Sequence, residues 1–283
     1  MPVPTTTPPE PSTRDAQQTH SAKGSSSQRA LRVLTGDDRP RASTLGAWAL
    51  LALLVVGSVA ATITWDHAEI PTSGDETSYA LQALSLAYDG HNLSLDERDT
   101  QRWADVEFRW MARPQSFFFR TNSEAYTTAK PYGYPLYLAP FVRALGFSKG
   151  LAVGNALLLL GLVAAAIAIL RTRLAGPAVP LLVTAFTFGG ALYLYTYAIS
   201  VELFFAVLSA LVTLGAVRWW RSRAWPWAVL CLVVVGFTAS DKPPLALALL
   251  VPVAVVIWCT GSWRWRLGAP AIVAATFLVA AVP

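Results

Sequence analysis

Asp75 and Glu76 stand side by side about ten residues beyond the first apolar run of membrane length. They lie in Pro71-Thr72-Ser73-Gly74-Asp75-Glu76-Thr77-Ser78-Tyr79. A carboxylate held at that depth can take the proton from an acceptor hydroxyl, which is the work of a general base. Beyond residue 132 only Glu202 and Asp241 are acidic. Asp241 is followed by a cation in Thr238-Ala239-Ser240-Asp241-Lys242-Pro243-Pro244. A fixed cation can stabilise the charge that grows on a departing phosphate. Ionisable groups inside apolar segments are costly and so mark functional positions.

Each of these residues also has a plainer reading. Ser73 as N-cap with Glu76 three positions on is a capping box, and acids near a helix N-terminus complement its dipole. Gly90 closes that helix. Capping explains Glu76 better than Asp75, which makes Asp75 the better base. Leu81, Leu84 and Tyr88 form one apolar stripe, so the expected helix lies along a membrane surface. Glu202 fits a dipole-complementing acid at a helix start, Asp241 and Lys242 can pair with each other, and a lone Lys near a helix end snorkels to the interface. Tyr193, Tyr195 and Tyr197 read as interfacial belt residues.

These residues must be positioned by membrane helices. Of 283 residues, 54% are hydrophobic and 14% charged, against about 25% charged in an average soluble domain. The fold class is all-α, a polytopic helical membrane protein with about seven or eight membrane segments. Residues 1–43 are rich in Pro, Thr, Ser and Gln and read as a disordered cytoplasmic tail. Residues 44–283 form the membrane domain, beginning with Leu45–Trp65. Residues 66–132 form a long polar outer loop bearing amphipathic surface helices, and hold eleven of the seventeen acidic residues. Apolar segments follow near 133–147, 151–170, 178–198, 200–217, 225–240, 243–260 and 268–283.

Two topologies compete. Simple alternation exposes Arg171, Arg173, Arg218, Arg221, Arg223, Arg264 and Arg266 outside. If the short segment 133–147 does not cross, all seven fall inside, as the positive-inside rule prefers. That arrangement also brings Glu202, Asp241 and Lys242 to the face of the acidic loop. Cys231 and Cys259 lie in apolar runs and read as buried packing residues. His67 and His91 are too isolated to argue for a metal site. The basic excess reads as topology information, not a nucleic-acid footprint. Arg98, Arg102, Arg109, Arg113 and Arg120 interleave with aromatics such as Trp103 and Trp110. They read as anchors of a surface-docked loop, or as a grip on a lipid phosphate.

A membrane helix precedes Gly74-Asp75-Glu76-x-x-Tyr79-Ala80-x-x-Ala83-x-Ser85-Leu86-x-x-Asp89-Gly90. After it comes Lys130-Pro131-Tyr132-Gly133-Tyr134-Pro135-Leu136-Tyr137-Leu138-Ala139-Pro140. In order and spacing, this resembles the GT-C membrane glycosyltransferases, nearest the branch of protein O-mannosyltransferases and lipid A aminoarabinose transferases. By layout the resemblance covers residues 45–260. It implies a polyprenyl-phosphate sugar donor, an acidic residue of the first outer loop that activates the acceptor, and a proline motif bordering the site. Carried over, it makes Asp75 and Glu76 catalytic, and Tyr79, Lys130, Glu202 and Lys242 substrate-binding. The family often has His where Lys130 stands, which would turn a neutral donor into a fixed cation. Members are usually longer, and this sequence stops within an apolar run at Val282-Pro283, so a truncated chain is also expected.

The expected function is sugar transfer to a lipid, glycan or protein acceptor outside the cytoplasmic membrane, with membrane lipids as surroundings and no nucleic-acid partner. No cofactor is required by the sequence; a divalent cation serves some members of the family and not others. The alternatives are a transporter of lipid or solute that uses Glu202, Asp241 and Lys242 as a polar pathway, and an inactive, truncated transferase-like scaffold.

Overall fold

The computed structural model describes residues 41–64, 74–90, 118–120, 126–128, 132–199, 201–260 and 263–281. The first helix, α1 (Arg41–Thr64), is followed by α2 (Gly74–Tyr88). A short antiparallel pair, β1 (Phe118–Arg120) and β2 (Tyr126–Thr128), sets Phe119 opposite Thr127. Then come α3 (Gly133–Leu145), α4 (Phe147–Leu170), α5 (Ala178–Phe188), a 3-10 turn (Ala191–Thr196), α6 (Val201–Ser222), α7 (Trp225–Asp241), α8 (Pro243–Thr260) and α9 (Trp263–Ala281).

Three of these helices are long and apolar enough to cross a membrane: Ala42–Thr64, Phe147–Leu170 and Val201–Ser222. A helix apolar all round is either buried or lipid-facing. On α1, Leu45, Leu53 and Val56 are each about two-thirds exposed, so its outer surface suits hydrocarbon. The other apolar helices are shorter. At 1.5 Å per residue α7 and α8 reach about 25 and 27 Å, and α3 about 20 Å. The continuous segment expected at 178–198 is broken: α5 stops at Phe188, Gly189-Gly190 intervene, and the 3-10 turn follows. Apolar composition gives no sign of that break.

Contacts define two ends of the bundle. At one end Arg171 stacks on Trp48 at 5.0 Å, Arg221 donates to the Thr172 carbonyl, and Trp219 meets Trp265 at 5.5 Å. Arg266 lies over Trp258 at 4.8 Å. This arginine end therefore gathers the start of α1, the α4–α5 turn, the end of α6, and the α8–α9 turn. α7 runs back from it to Asp241.

The segment 133–147 makes its own hairpin, remote from the arginine end. Gly146 turns the chain between α3 and α4 at φ 78, in the left-handed region that favours glycine. The two helices then run antiparallel at close range. The Tyr137 hydroxyl donates to the Gly154 carbonyl at 2.9 Å, and a Cβ at Gly150 would meet the Val142 backbone at 2.6 Å.

α2 starts at Gly74 and closes at Gly90, whose φ is 74, as the capping reading expects. Its surroundings differ from expectation. In place of a surface helix with one wet face, Ser78 to Ser85 and Ala87 are all buried, largely against α3. Tyr88, expected on the apolar stripe, is 46% exposed, although its hydroxyl reaches the Val142 carbonyl at 3.5 Å. The small residues Ala80, Ala83 and Ala87 let another helix approach on the side the stripe ignored. Residues 1–40 of the expected tail and most of the first loop, including Lys130, lie outside the described residues, while Arg41, Ala42 and Ser43, expected in the tail, open α1.

Candidate functional site at the acidic end

The first turn of α3 is held from a distance. Tyr132, at its N-cap, supplies no side-chain cap of its own. The opening N–H groups of a helix lack partners within it, and here the carboxylate of Asp241 takes one. Gly133 donates its N–H to Asp241 at 2.9 Å to Oδ2 and 3.3 Å to Oδ1. Asp241 is 7% exposed, so this is a buried, charge-assisted cap delivered from the last residue of α7. Only glycine fits opposite it: a Cβ at position 133 would overlap the Asp241 carboxylate and the Phe237 ring. Burial first, and the Asp241 carboxylate second, raise the Tyr132 phenol above its ordinary pKa of 10.

Lys242 is the single residue between α7 and α8. A residue before proline is biased away from helix, and Lys242 has φ −143 and ψ 77. Pro243 and Pro244 then occupy positions where a helix needs no N–H. Lys242 is exposed, with its ammonium 5.1 Å from the centre of the Phe205 ring. The expected pairing of Asp241 with Lys242 is thus corrected. The carboxylate turns inward to Gly133, and the ammonium turns out over Phe205.

An aromatic chain joins these positions to α2. Tyr79 is buried and meets Tyr134 edge-on at 6.2 Å. Tyr134 meets Phe204 at 6.0 Å, and Phe204 meets Phe205 at 5.8 Å and Phe237 at 6.2 Å. Such pairs add about 0.5–1.5 kcal/mol each beyond burial. The chain runs from α2 through α3 to α6 and α7, and ends beneath the Lys242 ammonium.

Of the residues singled out by sequence, Glu76, Tyr79, Glu202 and Lys242 lie at this end of the bundle, with α2 joined to α6 through Tyr134 of α3. Glu76 is half-buried in the first turn of α2, one turn before Tyr79. Tyr79 is packed inside, so as placed it supports the site from behind. Glu202 is exposed in the first turn of α6, three residues before Phe205. The Asp75 backbone lies in the first turn of α2, while its side chain and all of Lys130 fall outside the described residues. Among the described residues no group of three or more His, Cys, Asp or Glu forms a metal site.

Asn155 is a residue the sequence reading missed. It is fully buried within the apolar α4, where it accepts the Tyr134 hydroxyl at 2.8 Å. Its amide donates to the carbonyls of Ala198 at 2.9 Å and Thr196 at 3.2 Å. One amide thereby fixes α3 and the connection that leads into Glu202. The available signal was a lone carboxamide inside a membrane-length apolar run. The cysteines divide: Cys231 is buried as expected, but Cys259 is exposed on the bundle surface.

Compared with known proteins, the chain matches no protein-family profile, and neither a curated protein nor a solved structure gives a significant match.

Proposed function

We propose that this chain is a membrane glycosyltransferase that moves a sugar from a polyprenyl-phosphate donor to an acceptor outside the cytoplasmic membrane. The observation that carries the reading is the convergence at one end of the bundle. The first turn of α2, the Glu202 start of α6 and the exposed Lys242 all lie at that end, opposite the arginine end. In this reading α1 and α4 to α9 are seven membrane segments, α3 stays on the outer side, and the seven arginines face the cytoplasm.

Asp75 takes the proton from the acceptor hydroxyl as the acceptor oxygen attacks the anomeric carbon. The bond from that carbon to the phosphate oxygen breaks, and polyprenyl phosphate departs with the electron pair. Lys242 and Lys130 stabilise the phosphate, Glu202 lines the sugar pocket, and Glu76 partly caps α2 while Tyr79 orders it. A positioned base typically contributes about 10²–10⁴-fold. Transport is the weaker reading, because Glu202 and Lys242 sit at helix ends and Asp241 is committed to Gly133.

The test is transfer from labelled polyprenyl-phosphate mannose, arabinose or glucose in membranes expressing the chain, beside Asp75→Asn at matched expression. We expect transfer by the wild type and a fall of about a hundredfold in the variant. Undiminished transfer by Asp75→Asn would retire Asp75 as the base. Absence of transfer from every donor would overturn the reading.

A further inference from the structure

At the arginine end a cleft of about 670 Å³ opens between the close of α4, the last turns of α6 and the middle of α8. Leu170, Ala216, Val217, Pro252 and Val255 are among its walls, and Arg173 and Arg221 line it as well. The volume lies in the range of sites that enclose a small organic ligand.

Of the two arginines, Arg221 is held in place and Arg173 is exposed beside it. Arg221 donates to the carbonyl of Thr172, in the same turn that carries Arg173. A guanidinium has five N–H donors, so this bond fixes the group and leaves further donors for an anion. Among the described residues after 132 the only acids are Glu202 and Asp241, and both belong to the other end. Trp220, 44% exposed, also lines the cleft as an interfacial aromatic.

A small aqueous anion would use the guanidinium groups and leave the apolar walls unexplained. A neutral hydrophobe would use the walls and leave the paired cations unexplained. We infer that the cleft holds one anionic phospholipid from the adjoining leaflet, with an acyl chain along α6 and the phosphate on Arg173 and Arg221. Basic pockets between membrane helices recognise lipid headgroups by this combination. The inference rests on the membrane reading of the bundle and is independent of transfer chemistry.

The test places the full chain in phosphatidylcholine bilayers carrying a trace of spin-labelled phosphatidylglycerol or spin-labelled phosphatidylcholine. The motionally restricted fraction of each label is then compared. At about fivefold for each arginine, the anionic lipid should be favoured about tenfold or more. Arg173→Gln with Arg221→Gln should bring the ratio close to parity. Val255→Trp, at a 54% exposed position on the cleft wall, should displace both labels without altering the core. Arg264→Gln with Arg266→Gln, which removes equal charge away from this cleft, should leave the ratio unchanged. Parity in the wild type overturns the inference. So does an equal loss in the Arg264/Arg266 control, which would mean diffuse surface attraction, or indifference to Val255→Trp, which would mean a headgroup contact with no chain in the cleft. Should the Arg173/Arg221 variant fail to fold, Val255→Trp and the control pair still decide the matter.

Discussion

Replacing Asp241 with alanine should release the start of α3 from α7. The bond at stake runs from a buried carboxylate to the Gly133 N–H at 2.9 Å, with the second oxygen at 3.3 Å. Hydrogen bonds to charged groups contribute about 1.5–3 kcal/mol, and a stranded buried N–H costs about 1–3 kcal/mol. These describe the same loss from two sides, so local opening should become easier by about 2–3 kcal/mol. At 1.4 kcal/mol per tenfold, backbone exchange at the cap should accelerate about 30- to 150-fold. Global stability is a poorer readout, since removing the carboxylate also relieves its desolvation. Hydrogen exchange in detergent, followed in peptides covering residues 132–137, measures the local term directly. Asp241→Asn keeps an acceptor oxygen of the same shape and should lose only about 1 kcal/mol, or about fivefold. Gly133→Ala should resemble Asp241→Ala with the carboxylate still present, because its Cβ takes the acceptor's place. Exchange in Asp241→Ala within about threefold of wild type would refute the cap, and equal effects of Ala and Asn would refute its charge assistance.

Asn155→Leu should destabilise the bundle by about 2–4 kcal/mol, because it strands the Tyr134 hydroxyl and two carbonyls. A double-mutant cycle with Tyr134→Phe, read by denaturation in detergent, should show a coupling of about 1 kcal/mol, and simple additivity would break the proposed network. Cysteines introduced at 202 and 242 should react with an impermeant maleimide from one side of the membrane, and cysteines at 173 and 223 from the other; labelling of all four from one side would dissolve the two ends. In folded protein Cys259 should react with a small maleimide while Cys231 is protected until unfolding, and equal rates would contradict the packing around α7.

The parts of this fold legible in the sequence are those set by local chemistry. α1, α4 and α6 follow from apolar runs of membrane length. The limits of α2 follow from the acids that favour its start and the glycine that ends it. The shortness of the apolar segment at 133–147 shows in α3, a 13-residue helix that turns straight back along α4. What the sequence hides is tertiary. The alanines of α2 carry little hydrophobic signal, yet their smallness admits α3. The Gly189-Gly190 break is invisible to a count of apolar residues. The partnership of Asp241 with Gly133 spans 108 positions, and nothing near either residue announces it. Read locally, Asp241 has a cation for a neighbour, and only the packing shows that it turns away from it.

That long-range cap also sets an order of assembly. Gly133 is synthesised 108 residues before the group that caps it. At about 5–20 residues per second, the ribosome needs roughly 5–20 s to supply Asp241. Throughout that interval α3 has α2 and α4 beside it but no anchor at its first turn. The acidic end is therefore completed only when α7 arrives, and α8 starts one residue after the anchor is in place.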